Sequence, residues 1–186
     1  GTGTIFLARK GKDRRRCALK VLRPEFRSSA SLSEGLVREG EIIRQLNENY
    51  PGQVFITLFD QGVFHDSGTD HPYLVLEYVE GPNLRNYVRQ HGALEPFTAI
   101  SAARDLADGL SRVHESGFVH GDISPENVMW VANAALRRAG EPRFRLIDFG
   151  DSRKFDLDVR AEEIAGKPAF LSPEQTTGAA ATPASD

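Results

Sequence analysis

Two short stretches hold side chains that could do chemistry together. The first is His120-Gly121-Asp122-Ile123-Ser124-Pro125-Glu126-Asn127. The second, Asp148-Phe149-Gly150, begins 21 residues after Asn127. A carboxylate in a tight loop can orient a hydroxyl and take its proton, which is the role for Asp122. An amide oxygen and a second carboxylate are hard ligands suited to Mg²⁺, which is the role for Asn127 and Asp148. The three suit the placing of a nucleotide's metal ions beside an acceptor hydroxyl. Asp and Asn next to Pro and Gly also cap ordinary turns. Two such loops in this order and at this spacing argue against that plainer reading.

The rest of the chain must position these groups. Its 186 residues suffice for one ordinary domain or two small lobes. At 40% hydrophobic and 26% charged, the composition is globular. A net charge of −3 gives no argument for a nucleic-acid partner. The basic cluster from Lys12 to Arg16 reads as a solvated hairpin tip. Cys17 is the only cysteine, which excludes an internal disulfide framework and fits a reducing compartment. No apolar run approaches the ~20 residues of a bilayer span, and no signal peptide is visible. The expected location is cytoplasmic, either alone or as the cytoplasmic part of a larger, membrane-anchored protein.

Ile5 to Ala8 and Cys17 to Leu22 read as strands joined by a polar turn, with Pro24 ending the second. Ser31 to Asn47 reads as an amphipathic helix. At about 100° per residue, Leu32, Leu36, Ile43 and Leu46 cluster around Glu39. Glu34 and Glu41 point away. Glu39 is therefore the inward-facing acid. Val54 to Phe64 and Tyr73 to Tyr78 read as strands separated by a turn over His65 to Asp70. Gly81-Pro82 breaks the chain. Leu84 to Gln90 is a short helix. Pro96 to Ser116 is a longer one, whose expected core stripe is Ile100, Ala103, Leu106, Ala107, Leu110 and Val113. Val128 to Val131 and Phe144 to Ile147 form a small hairpin. Beyond Asp148 the chain reads as loop. Strands first and helices after indicate an α+β fold.

Phosphoryl transfer also needs a cradle for the phosphates and a cation to align them. Gly1-Thr2-Gly3 could be the tail of a glycine-rich loop, where backbone N–H groups approach phosphate oxygens; a plain β-turn spells the same way. Lys20 lies in the second strand, where a lysine is usually solvated. Here the inward-facing Glu39 offers it a partner.

Taken together, these motifs resemble the eukaryotic-like (Hanks-type) serine/threonine protein kinases, in the spelling of the bacterial ones. Ile5 and Lys20 stand 15 residues apart, as the loop-closing residue and strand lysine do in that family. The resemblance implies ATP and Mg²⁺ as cofactors and a protein as substrate. Gly1, Gly3, Ile5, Ala18, Lys20, Leu76, Glu77, Val79 and Met129 would bind the nucleotide. Leu74 to Gly81 is similar to the kinase hinge, where backbone groups of Glu77 and Val79 would bond the base. Taken singly, Ile5, Ala18, Leu76 and Met129 read equally well as core. His120 and Phe149, with Ile43 and Leu58, match the family's stacked apolar spine. The run from Gly166 to Gln175 resembles the end of an activation segment and favours a protein substrate over a small molecule.

Three departures stand out. Gly121 replaces the arginine usual before the catalytic Asp, and residues 151 to 167 hold one hydroxyl, Ser152, among several acids (Asp156, Asp158, Glu162, Glu163). Activation without a loop phosphate is therefore expected; a stoichiometric phosphate on Ser152, needed for activity, would contradict it. Ser124 replaces the family's usual catalytic-loop lysine. Lys167 replaces its usual threonine. The hydroxyl and the ammonium have changed places, and Lys167 and Ser124 join Asp122, Lys20 and Glu39 as catalytic candidates.

The expected fold is a bilobal, kinase-like α+β fold, incomplete. It has a small antiparallel-sheet lobe with one helix over residues 1–80, a hinge at 77–81, and part of a mainly helical lobe over 82–186. By the same resemblance, the chain is expected to be truncated at both ends. The alternatives are a pseudokinase that binds or scaffolds, and a small-molecule phosphotransferase.

Overall fold

Strand-forming stretches broken by glycine turns give way, along the chain, to helix-forming ones, and the architecture follows that order. The computed structural model describes residues 2–12, 14–52, 54–66, 68–131, 144–155 and 167–186. The chain divides into two units, Gly1–Glu48 with Ile56–Tyr78, and Asn49–Phe55 with Val79–Asp186.

The first unit is a four-stranded antiparallel sheet with one helix. Strands β1 (Gly3–Lys10), β2 (Arg15–Leu22), β3 (Leu58–Asp66) and β4 (Thr69–Glu77) lie in the order β1-β2-β4-β3. The register sets Ile5 opposite Lys20 and Ala18 opposite Leu76. Helix α1 (Ala30–Asn49) buries Leu36, Glu39, Gly40, Ile42, Ile43 and Leu46. A side chain at Gly40 would stand 2.7 Å from Leu74 Cδ2, so glycine lets the helix sit close on the sheet. Ile43, Leu46 and Leu74 are at most 1% exposed, and each contributes on the order of 1.5–3 kcal/mol by burial. Asn47 ties the helix end to β3: its Oδ1 accepts from Leu58 N at 2.8 Å and its Nδ2 donates to Ile56 O at 3.1 Å. The turn expected over His65 to Asp70 is mostly strand. His65 pairs with Asp70 and Asp66 with Thr69, and Gly68 adopts a left-handed φ of 79°.

The second unit holds helix α2 (Leu84–His91), helix α3 (Pro96–Glu115), a short pair of strands β5 (Phe118–Val119) and β8 (Arg153–Lys154), a hairpin of β6 (Val128–Trp130) and β7 (Phe144–Leu146), and the short helix α4 (Pro173–Thr176). Among the described residues beyond Asp148, where loop was expected, β8 and α4 are regular elements. Asn83 caps α2, its side chain accepting from Asn86 N at 2.9 Å. The core comprises Val54, Phe55, Val113, Phe118, Val119, Val128, Phe144, Leu146 and Phe149.

The orientation of α3 differs from the expected stripe. Ala102, Asp105, Gly109 and Val113 are buried, while Ile100 is 67% exposed and Ala103 and Ala107 face outward. The reason is steric. A side chain at Gly109 would overlap Val54 Cγ1, so the helix turns its smallest residue toward Val54 and approaches closely there. Asp105 goes in with it, its Oδ1 accepting from Arg104 Nη2 at 3.1 Å. No described helix is long and apolar enough to cross a membrane.

Candidate functional site

In the first unit the helical period of α1 brings Glu39 inward against Lys20 on β2. Lys20 Nζ donates to both carboxylate oxygens at 2.7 Å. The Glu39 side chain is 2% exposed and that of Lys20 12%, whereas Glu34 and Glu41 are exposed. Gly3 allows this: a Cβ there would stand 3.3 Å from Lys20 Cε. Ile5 is 57% exposed, too open for a core residue, while Leu76 is buried and Ala18 half-buried. The Glu77 N–H is committed, donating to Thr57 O at 2.8 Å. That narrows the expectation that Glu77 is a backbone partner for a base. The β-bulge between Leu58 and Asp60 accompanies this local contact with Thr57. Gly1 lies outside the described residues, as do Asp156, Asp158, Glu162, Glu163 and Gly166.

In the second unit the loop from His120 to Asn127 is held from several sides. His120 is fully buried, its ring 4.8 Å from that of Phe149, which in turn meets Phe55 edge-on at 6.2 Å. Its Nε2 lies 3.3 Å from Ile147 O, and its Nδ1 accepts from Asp122 N at 3.4 Å. Burial pushes the His120 pKa down, although Asp186, the Ile147 carbonyl, Asp148 and Asp122 all favour the charged form. Val79 is buried and Met129 half-buried.

Asp122 is the centre of the polar contacts. Its Oδ2 accepts from Asn127 Nδ2 at 2.7 Å and from Lys167 Nζ at 2.5 Å. Its Oδ1 is buried and, among the described residues, has no hydrogen-bond partner. Asn127 Nδ2 also donates to the Asp122 carbonyl at 2.8 Å, and Lys167 Nζ to Ser124 Oγ at 2.9 Å. Ser124 is 3% exposed. Asp148 follows Ile147, whose N–H donates to Asn127 O at 2.9 Å, and adopts a left-handed φ of 63°. That conformation is uncommon for a residue with a side chain and often marks functional backbone. Close by, Arg85 pairs with Glu126. Burial pushes the Glu126 carboxyl up, but its own backbone amide and Arg85 prevail and hold it below the ordinary range.

Two contacts escape any reading of the sequence. The Asp186 side chain, 2% exposed, accepts from His120 N at 2.7 Å, Gly121 N at 2.9 Å and His114 Nε2 at 2.9 Å. No local spacing announces a carboxylate that binds backbone amides 65 and 66 residues away. Ser152, 5% exposed, donates to His120 O at 3.0 Å, closing the loop from the other side. Gly121 is fixed between them. Its φ is 84°, and a Cβ would stand 2.8 Å from Asp151 O.

The second unit holds a carboxylate bound by an amide and an ammonium, and the first holds a lysine–glutamate pair on its sheet; these are side-chain types that phosphoryl transfer uses. The family model for the protein kinase domain matches residues 1–186, the whole chain. The chain belongs to the protein kinase domain family. Among similar proteins, serine/threonine-protein kinase pkn2 of Myxococcus xanthus is 33% identical over 191 residues, which cover 100% of this kinase domain and 21% of that protein. Serine/threonine-protein kinase PknB of Mycobacterium leprae is 31% identical over 181 residues, 96% of this chain and 27% of that one. Serine/threonine-protein kinase PkaA of Streptomyces coelicolor is 31% identical over 199 residues, 100% and 34% respectively. The chain therefore spans between 21% and 34% of the length of these relatives. The α+β architecture, an antiparallel sheet with one helix followed by a mainly helical unit, fits part of a protein kinase fold.

Proposed function

We propose that this domain transfers the γ-phosphoryl group of ATP to serine or threonine hydroxyls of a protein substrate. The observation that carries the reading is Asp122. One carboxylate oxygen is fixed by Asn127 and Lys167, while the other, Oδ1, is buried without a partner among the described residues. An unpaired buried acceptor costs on the order of 1–3 kcal/mol, and a substrate hydroxyl would relieve it. The hydroxyl oxygen bonds to the γ-phosphorus, the bond to the bridging oxygen breaks, ADP leaves, and the hydroxyl proton passes to Oδ1. Lys20, aligned by Glu39, holds phosphate oxygens. The curated relatives carrying serine/threonine kinase names support the choice of acceptor.

The donor set suits Mg²⁺. The Asn127 amide nitrogen is committed to Asp122, which turns its carbonyl oxygen to the task of ligand. With Asp148 that makes two hard oxygens. Among the described residues no three His, Cys, Asp or Glu side chains gather as a metal site. Two protein ligands completed by phosphate oxygens is the habit of Mg²⁺ rather than of a protein-caged ion. Bound there, the ion would neutralise charge on the phosphates.

The test is transfer from γ-³²P-labelled ATP by the full-length parent, offered casein, myelin basic protein, small alcohols and aminoglycosides. The expected label is on protein serine or threonine, and Asp122→Asn should lower kcat by about 10²–10⁴-fold. Nucleotide binding without any transfer would make it a pseudokinase. Label on the small molecules alone would make it a small-molecule phosphotransferase.

A further inference from the structure

We propose that Lys167 is the cation that stabilises the phosphoryl group in transfer, supplied by the segment after the catalytic loop rather than by the loop itself. This rests on the kinase reading above. From Gly121 to Val131 the chain has no lysine or arginine. The neighbouring cation Arg85 is engaged by Glu126. Lys167 instead contacts both Asp122 Oδ2, at 2.5 Å, and Ser124 Oγ, at 2.9 Å.

The reach is adequate. Reacting oxygen and phosphorus approach to about 3–3.5 Å before transfer. The hydroxyl oxygen lies one hydrogen bond, about 2.7 Å, from Asp122. The phosphorus is therefore within about 6 Å of the carboxylate that Lys167 touches. A lysine stem is flexible and its ammonium carries three donors, so Nζ can keep Ser124 and reach a phosphoryl oxygen. No bond to Lys167 forms or breaks.

Lys167 is also held where it is needed. Its carbonyl accepts from Phe170 N at 2.8 Å. Ser172 and Gln175 form a capping box on α4, and Glu174 accepts from Ser185. Ser185 is followed by Asp186, whose carboxylate binds the amides of His120 and Gly121, next to Asp122. The contacts thus form a ring that starts at Lys167 and returns to it through Asp122. In consequence the positive charge arrives with the docked segment, and Lys167 acts as the segment's own signal of engagement. No phosphate is required.

Two measurements test this. In the full-length parent, Lys167→Met should lower kcat for peptide phosphorylation by about 10²–10³-fold and leave KM for ATP within about threefold, and Ser124→Lys with Lys167→Thr should recover about tenfold or more of that loss. A Lys167→Met variant within about threefold of wild-type kcat overturns the proposal. The second measurement needs no activity and no variant. Acetylation of lysine amines by an N-hydroxysuccinimide ester, read by mass spectrometry, should be slowed at Lys167 more by the β,γ-imido analogue of ATP with Mg²⁺ than by ADP with Mg²⁺. Equal rates in the two complexes overturn it. If the wild type transfers no phosphate at all, the functional reading fails, and the amine footprint still decides the place of Lys167.

Discussion

Acidification should destabilise this domain through one buried ring. His120 is fully buried, and burial pushes its pKa below the ordinary 6.5 despite nearby carboxylates. Its hydrogen bonds agree with a neutral ring. Nδ1 accepts from the Asp122 amide, so the single ring proton sits on Nε2 and faces the Ile147 carbonyl. A second proton would set two N–H groups against each other. Unfolded, His120 takes that proton as the pH falls through about 6.5; folded, it resists to a lower pH. In that window the unfolded state binds more protons, so stability is complete above about pH 6.5 and falls below it by about 1.4 kcal/mol per unit. Urea titrations of the full-length parent at about pH 7.5, 6.5 and 5.0, read by pulse proteolysis of peptides from this domain, would measure it. His120→Phe keeps an apolar ring and removes the titration, so below about pH 6.5 stability should fall more steeply in the wild type than in the variant. Glu126 and Glu174, whose carboxyls lie below their ordinary values, lose their contribution at lower pH and act alike in both proteins. Equal pH slopes in the two proteins would show that His120 is not the cause.

Lys20→Met strips an ammonium from a carboxylate that is 2% exposed and should cost about 3–5 kcal/mol in the same titrations; replacing Glu39 by leucine as well should restore most of it. Gly109→Ala drives a methyl into Val54 and should cost about 1–3 kcal/mol, checked by the urea midpoint. Gly121→Arg places a side chain at φ 84° with its Cβ 2.8 Å from a backbone oxygen. It should reduce peptide phosphorylation, and phosphosite mapping should find no new dependence on a phosphate in the segment after Asp148.

What was legible in the sequence was the placement of residues set by near neighbours. Asp122 and Asn127 are five residues apart and meet through one amide. Glu39 could be placed inward because a 3.6-residue period leaves one acid among Leu36, Ile43 and Leu46. The face of α3 could not, because apolar residues occur on both of its sides and steric closeness at Gly109 decided which one is covered. The turn at His65 to Asp70 misled for a related reason: polar residues at a hairpin tip pair across the ladder as readily as they turn. Asp186 left no trace, since two of its partners are backbone amides, which have no residue type to betray them, and the third, His114, lies 72 residues away.

That last contact bears on the order in which the domain is built. Two adjacent peptide groups beside Asp122 reach their final hydrogen bonds only when a residue 65 positions further along comes back to them. Closing so long a stretch carries an entropic penalty that nearby pairings escape. The reactive loop should therefore be among the last parts to take its shape, and among the first to relax. Deuterium uptake at the amides of His120 and Gly121 would record each departure of that distant carboxylate, well before the sheet lets go.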